Sequence, residues 1–378
     1  MKVPYAWLDL VHDSGRTAVA MLGVAFAVLL MLMQLGFYGS VRRTAVLIQD
    51  NMLFDILVCS RNYLFLSSPD SVPLERLQQA RGVAGVADVV PFNLSFTTWR
   101  PADPGRGRSR AIMLMGFDLD RPALDLPRLG GSADLLRRPD TVLIDRTSRP
   151  EFGPQQSGTR ADAGAVTVTV AGNFDMGTGF SADGAIVTSA PNFLRIQPAF
   201  PPGRTSFGLV TVADRADVDG VVARLRERLP ADVRVLAREE LARSERHHWI
   251  AKTSVGVIFG VGVATSLIVG MAIVSQVLAN KVAHHFREFA TMKALGYEQG
   301  YISGLVLAQA LAIAVAGYVP GLLVAWNLYE VTRRLAHIPM RLGLWEAGVV
   351  LMLAMAMCVS AAMTALRKVA TAAPADLF

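Results

Sequence analysis

Four stretches of this 378-residue chain carry no charged side chain over a length that crosses a lipid bilayer. They are Ala18–Tyr38, Thr253–Asn280, Tyr301–Tyr329 and Ala347–Leu366. At about 1.5 Å of rise per helical residue, about 20 apolar residues span the hydrocarbon layer. The second and third runs exceed that length, so they tilt or project beyond the bilayer. The overall composition agrees, at 52% hydrophobic residues and a mean hydropathy of +0.38, with the excess concentrated in these runs. A cleaved signal peptide has an apolar region of only ~7–15 residues that ends at a small-residue site. Here the first run continues into LGFYGSVRR with no A-x-A pattern, so it reads as a retained span. The chain is therefore expected to be a four-helix integral membrane protein.

These runs divide the chain. Residues 1–16 precede the first span, 17–38, and residues 39–250 form a large domain of soluble composition. The later spans are 253–280, 301–329 and 347–366, joined by 281–300 and 330–346, with a tail at 367–378. An even number of spans puts both termini and the 281–300 segment on one side, opposite the large domain. Basic residues flank both sides, and long domains translocate largely regardless of charge, so charge alone leaves the orientation open. In PYAWLDLVHDSG, Trp7, Leu8, Leu10 and Val11 share one helical face and Asp9, His12 and Asp13 the other. This predicts a short helix in the membrane interface, or an extension of span one.

Within the large domain, a strand–helix–strand order occurs twice. FDILVCS (54–60), PLERLQQA (73–80) and VADVVPFNLSFTTW (86–99) form the first set. FGLVTVA (207–213), DVDGVVARLRERL (217–229) and VRVLA (233–237) form the second. Two separated βαβ units imply an α+β domain with a ferredoxin-like sheet covered by helices on one face. The intervening segment, about 100–203, is richer in Gly, Pro and Asp and reads as an inserted β-rich subdomain. Residues 238–252 carry Glu239 and Arg243 as an i,i+4 pair and are expected to lead into span two without a break, as a stiff stalk helix.

Several function classes fall away. No G-x-x-x-x-G-K-[ST] cradle occurs, so P-loop ATP hydrolysis is not expected of this chain. His247–His248 and His284–His285 are adjacent pairs that face different ways on a helix, and no Cys or second His stands at ligand spacing. No H-E-x-x-H or G-x-S-x-G motif is present, so neither a catalytic nor a metal-binding residue is assigned. The net charge of +6 and pI near 9.6 come from dispersed basic residues interleaved with acidic ones, without a nucleic-acid-binding motif. Cys59 and Cys358 lie in the large domain and in span four and do not pair. The spans hold only mild polar groups, among them Gln34, Ser266, Gln309 and Asn327, which disfavours ion-coupled transport. Gly256-x-x-x-Gly260 would allow close helix packing, either within the bundle or in a dimer.

One short charged stretch lies between long apolar runs: REFATMKALGYEQGYI, Arg287 to Ile302. Phe289 and Ala290 share a side, but Lys293 sits among them, so it is no clean interfacial helix. Contact groups around its circumference suit a groove on another protein, and Gly296 would end it as a left-handed cap. The stretch resembles the coupling-helix signature of the FtsX/MacB class of ABC transporter permeases. Arg287, Glu288, Phe289, Met292, Lys293, Ala294, Leu295 and Gly296 fill that pattern in order. A narrower resemblance is to the DevC family of exporter permeases, carried by AWLDL (6–10), LMLMQLGF (30–37), LIDRTSRPEFGP (143–154), NFLRI (192–196), ALGYEQGYI (294–302) and PADLF (374–378).

The resemblance implies a type VII mechanotransmission permease in a bacterial inner membrane, with cytoplasmic termini and a periplasmic domain containing a porter-type subdomain. It implies a second copy of the chain, a cytoplasmic ABC ATPase dimer that holds ATP and Mg, a periplasmic HlyD-like membrane-fusion protein and an outer-membrane TolC-like channel. Membrane lipids are implied partners, nucleic acid is not, and this chain is expected to bind no cofactor itself. The implied activity is export of a lipid, glycolipid or other amphiphile. The alternative is an FtsX-like signaller that activates a periplasmic partner without moving cargo. Arg149, Pro150, Glu151 and Phe152 would form either a structural turn or a docking surface for the fusion protein. Purified alone, the chain is expected to show no ATP turnover in a phosphate-release assay. Robust turnover by a verified single-component sample would contradict the motif reading.

Overall fold

The computed structural model of the chain describes residues 14–102, 109–121, 123–125, 133–177, 179, 182–284, 298–336 and 338–371. Helix α1 (Ser14–Thr44) is followed by the single turn α2 (Leu47–Asp50) and strand β1 (Ile56–Ser60). The short β2 (Val72–Pro73) leads to α3 (Leu74–Arg81), the long β3 (Val86–Pro101) and β4 (Arg110–Phe117). Next come β5 (Thr141–Asp145), β6 (Arg160–Ala163), β7 (Val166–Phe174), β8 (Ala185–Ser189) and α4 (Ala190–Ile196). Then follow β9 (Arg204–Thr205), β10 (Phe207–Val212), α5 (Val218–Arg228), β11 (Val233–Ala237) and α6 (Arg238–His247). Three long helices end the chain: α7 (Ser254–His284), α8 (Gln299–Ala336) and α9 (Leu344–Thr371).

The described residues fall into two compact units. One contains those before Ser40, those from Gly256 to Ala336 and those from Met340 onward; the other contains Ser40–Val255 with 338–339. In the first unit, Thr17–Thr44, Ser254–Val277, Ser303–Leu335 and Leu344–Thr364 are long and apolar enough to cross a membrane. Its buried cluster is built from α1, α8 and α9, through residues such as Val24, Val28, Met31, Ile313, Ala314 and Val350, while α7 contributes Val274, with Leu267 and Val277 packed against it. Helices α1 and α8 approach backbone to side chain. A Cβ at Gly317 would lie 2.8 Å from the Met21 carbonyl oxygen, and one at Gly321 2.7 Å from that of Ala25. Small residues are what let two membrane helices close to this distance and gain dispersion contact.

Helix α8 runs on past Tyr329, through charged residues that the sequence assigns to a loop. Glu330 accepts from Arg334 at 2.6 Å and pairs with Arg333 at 2.7 Å, so each charge is satisfied one turn away on the same helix. Because α9 begins at Leu344, the connection is shorter than the 330–346 expected.

In the second unit, strands run in the order β11-β1-β10-β3, each antiparallel to its neighbour. Successive side chains alternate between the two faces. Ile56, Val58, Val210, Val212, Val233 and Val235 cluster with Leu77 and Ala80 of α3 and with Val221 and Leu225 of α5. Leu57, Cys59, Phe207, Leu209 and Leu236 join the opposite cluster with Tyr63, Leu66 and Leu241. Both faces are therefore covered, one by two helices and the other by a loop and α6.

The insert is not a separate sheet. Strand β3 continues past the expected boundary at Arg100, and its far half pairs with β4 and then, at Trp99–Pro101, with β6. The order β3-β4-β8-β5-β7-β6 thus closes on itself as a six-stranded barrel. All six strands send side chains into one apolar cluster: Trp99, Ile112, Leu114, Val142, Ile144, Ala161, Ala163, Val168, Val170 and Ile186 among them. Closure pairs the edges that short strands would otherwise leave open. Trp99 is fully buried there, and its indole N–H donates to the Phe152 carbonyl at 2.9 Å. Trp99→Ala should lower stability by about 3–5 kcal/mol, as for other buried aromatic truncations. A thermal-unfolding series of the intact protein, with Trp99→Phe as the milder comparison, measures this.

Candidate functional site

The base of the stalk helix α6 gathers the most elaborate polar contacts of the sheet-bearing unit. The helix starts after Ala237 in extended conformation, carries Glu239 and Glu240 in its first turn and Arg246 and His247 in its last. Acidic residues at the start and basic ones at the end complement the helix dipole. Its buried stripe is Leu241, Ala242 and Glu245, spaced to lie on one face.

Arg238 opens this helix. Its backbone N–H extends the ladder by donating to Asp55 O at 3.0 Å. Its guanidinium donates to Gln49 O at 2.7 Å, Met52 O at 3.0 Å and Phe54 O at 3.1 Å, and lies 4.7 Å from the centre of the Phe54 ring. One cation thus satisfies carbonyls around the end of the α2 turn, which has no following helix to use them. It ties the segment that follows α1 to the start of the stalk.

Glu245, at the other end of α6, is 1% exposed. Its Oε1 accepts from the Tyr63 hydroxyl in a short hydrogen bond and from the Leu66 N–H at 3.1 Å. Burial pushes its carboxyl up to about 7, against the opposing pull of those two donors. Burial first, and then the Glu245 carboxylate, raise the Tyr63 phenol well above its usual range. Nearby, burial pushes the Cys59 thiol up to about 12, which keeps it neutral and inert. One residue before Leu66 the contact turns aromatic: Phe65 stacks on His248 at 4.3 Å and meets Trp249 edge-on at 5.9 Å.

The stalk does not continue unbroken into the next helix, contrary to the expectation from sequence. After α6 the chain makes one wider π-type turn, His248–Lys252, and Thr253 is extended at φ −98°, ψ 147°. The Thr253 hydroxyl donates to Trp249 O at 2.6 Å, supplying a bond that helical backbone would otherwise make. Thr253 then stands just ahead of α7 in the manner of an N-cap. The Thr253–Ser254 pair is the signal in the sequence that marks this restart.

The coupling residues Arg287, Glu288, Phe289, Met292, Lys293, Ala294, Leu295 and Gly296 lie outside the described residues, as do the helix expected at 1–13 and the tail from 372. Gly256 is buried, whereas a Cβ at Gly260 would meet nothing within 4 Å. Gly260 therefore supplies no close contact among the described residues. In the RPEF turn, Phe152 is 1% exposed and belongs to the barrel's apolar cluster. Arg149 pairs with Asp183 at 2.9 Å, leaving Pro150 and Glu151 as the exposed pair. The turn's aromatic and its arginine thus serve the barrel, and of the four residues expected at a docking surface only Pro150 and Glu151 are exposed. Asp145, just before it, is fully buried and accepts from Thr147, Met176 N and Gly177 N. Burial raises its carboxyl above the usual range despite those donors. Among the described residues no group of three or more His, Cys, Asp or Glu could hold a metal ion.

Sequence reasoning missed Arg238, Glu245, Tyr63 and Phe65. A carboxylate four residues after Leu241 on the apolar face of an amphipathic helix was the available signal.

Residues 17–228 match the family described as MacB-like periplasmic core domain, and residues 259–374 match the family described as FtsX-like permease C-terminal. Among solved structures, the extracellular domain of the noncanonic ABC-type transporter YknZ from Gram-positive bacteria is similar at 17% identity. That likeness covers 48% of this chain and 98% of that one, with a TM-score of 0.33. The periplasmic region of MacB from Actinobacillus actinomycetemcomitans is similar at 10% identity, covering 52% and 94%, with a TM-score of 0.35. No curated protein sequence matches. Arg238→Ala should destabilise the sheet-bearing unit by about 2–3 kcal/mol, since it removes charge-assisted hydrogen bonds to three carbonyls. Thermal melts of the intact protein check this, and Arg238→Lys should recover part of the loss.

Proposed function

This chain belongs to the FtsX-like permeases that carry a MacB-like periplasmic core domain, and we propose that it is the membrane subunit of an ATP-driven exporter of the DevC type. Members of this family are membrane subunits of ABC transporters and work with an ABC ATPase. The observation that carries the proposal is the order of the two matches in one chain. The core domain begins within span one, and the permease region takes in spans two to four together with the 281–300 connection. In this reading Arg287, Glu288 and Lys293 of that connection grip a cytoplasmic ATPase dimer, which holds the ATP and Mg, and movement there passes to the stalk.

Two copies of the chain would form the permease in the inner membrane, with termini in the cytoplasm. Gly256 and Gly260 would contribute to their contact. The strands β11-β1-β10-β3 with α3 and α5 would be its ferredoxin-like, porter-type subdomain. A HlyD-like fusion protein and a TolC-like channel would complete a tripartite assembly that exports a lipid, glycolipid or other amphiphile. The apolar character of the buried cluster among α1, α8 and α9 supports a mechanism in which no hydrophilic path crosses the spans. The same feature suits the second reading, an FtsX-like signaller that acts on a periplasmic partner without moving cargo. A fusion protein recovered with the complex favours the first reading, and a cell-wall hydrolase the second.

Charge reversal by Arg287→Glu or Glu288→Lys should reduce co-purification of the ATPase by tenfold or more while the permease still inserts in the membrane. Unchanged assembly and unchanged ATP turnover would remove the coupling role from this segment.

A further inference from the structure

The contact between the 61–68 loop and α6 is built around an ionisable group that has no cationic partner among the described residues. Glu245 is 1% exposed, Tyr63 3% and Leu66 1%. Both donors to Glu245, the Tyr63 hydroxyl and the Leu66 N–H, are neutral. Both converge on Oε1, so they occupy the two lone pairs of a single carbonyl-type oxygen. A proton on Oε2 therefore disturbs neither bond. An ionised carboxylate in the same place keeps the bonds but sets a charge in an apolar cluster with Leu241, Leu66 and Phe207, where desolvation is costly.

We propose that the 61–68 loop and helix α6 form a proton-held latch, clasped while Glu245 carries a proton and loosened when it ionises. The released proton goes to bulk water, and the carboxylate gains hydration as the loop lifts from the helix. The aromatic contacts of Phe65 with His248 and Trp249 move with the loop, so the latch acts on the turn that precedes the break at Thr253. The latch rests on the fold alone, and only its exposure to external pH rests on the extracytoplasmic placement of the domain.

The sign follows from linkage. The carboxyl is raised from its ordinary 4.5 to about 7 in the clasped state. A raised folded value means that the stabilisation is fully present below about pH 4.5 and is lost as pH rises through about 7. Each pH unit inside that window changes the open-to-clasped ratio by up to about tenfold. Other ionisable groups stand around this contact. Cys59 on β1 stays protonated, its thiol pushed up to about 12 by burial, and the guanidinium of Arg234 on β11 donates to Tyr63 O at 3.4 Å. Glu240 and His247 lie on α6 itself, and His248 and Lys252 lie in the turn beyond its end. His248 is the one competitor, its value lowered by burial and then by Lys252.

Hydrogen exchange of residues 61–68 in the full-length protein, held in lipid nanodiscs, tests the latch at pH 5, 6 and 7. The readout is the ratio of wild-type to Glu245→Gln exchange at each pH, in which intrinsic exchange chemistry cancels. Glutamine keeps an acceptor for both donors and cannot ionise. The ratio should rise by about tenfold or more between pH 5 and pH 7. A ratio that stays constant with pH overturns the proposal. Where Glu245→Gln fails to insert, Tyr63→Phe serves instead. Losing that donor leaves the ionised form less tolerated, so its exchange should climb with pH more steeply than wild type, and an equal or flatter profile overturns the proposal. His248→Gln should keep the wild-type pH response, and its loss would assign the sensor to the histidine rather than to Glu245.

Discussion

The sheet-bearing unit depends on one strand. Val86–Pro101 pairs with Phe207–Val212 along its first half and with Arg110–Phe117 and Ala161–Ala163 along its second. It is at once an inner strand of the four-stranded layer and a stave of the barrel. At 16 residues it is well beyond the usual strand length of about 5–6. Such a strand is held straight enough for both roles only if side chains on both faces are buried. Its buried residues supply that: Val89 faces the two helices, Val90, Phe92 and Leu94 the opposite cluster, and Trp99 the barrel. Packing density in such interiors leaves little slack, so a displacement at one end of the strand is felt at the other.

The opposite cluster explains why polar chemistry concentrates at the stalk. A sheet face with helices on one side alone needs another cover, and here the cover is a loop and a short helix rather than a third layer. A loop brings backbone amides with it, and these require acceptors when buried. Glu245 answers the Leu66 amide, and Arg238 answers the carbonyls of Gln49, Met52 and Phe54. Both side chains therefore do work that a ladder or a helix does elsewhere. Because that work falls on ionisable groups near the ends of a ten-residue helix, the cover of this face responds to charge in a way the opposite, valine-lined face does not.

Much of this fold was legible in residue order. Alternation in FDILVCS and VRVLA identified strands whose even and odd residues do lie in different clusters, Ile56 and Val58 on one side and Leu57 and Cys59 on the other. DVDGVVARLRERL read as a helix, and α5 does form there, with Val221, Val222 and Leu225 as its buried stripe. The insert was legible only as a collection of short strands, because closure depends on Trp99 meeting Ala163, a pairing across 64 positions that no local pattern records. The RPEF turn was ambiguous for a related reason: a phenylalanine beside a proline and two charges looks like a surface feature until the barrel wall that receives it is known. The Thr253 break was hidden because Ala251 and Lys252 before it are good helix formers and an apolar run of membrane-spanning length follows it, so Thr-Ser is a modest signal beside them.

The arrangement of apolar runs alone determined that this chain has four segments long and apolar enough to cross a membrane and one large domain between the first two. That follows from the sequence because the bilayer is a uniform solvent, and a segment's preference for it is a sum over neighbouring residues. Period and spacing likewise determined the strands and helices of the two βαβ units, since each is a local match between side chains and one buried face. Tertiary structure alone decided that Tyr63 would bond to Glu245, 182 positions away, that Arg238 would gather three carbonyls, and that the insert would close on the end of β3. Those contacts depend on where separate segments arrive in space. Burial then sets the strength of each charge and hydrogen bond, and burial is a property of the assembled fold rather than of any stretch of its chain.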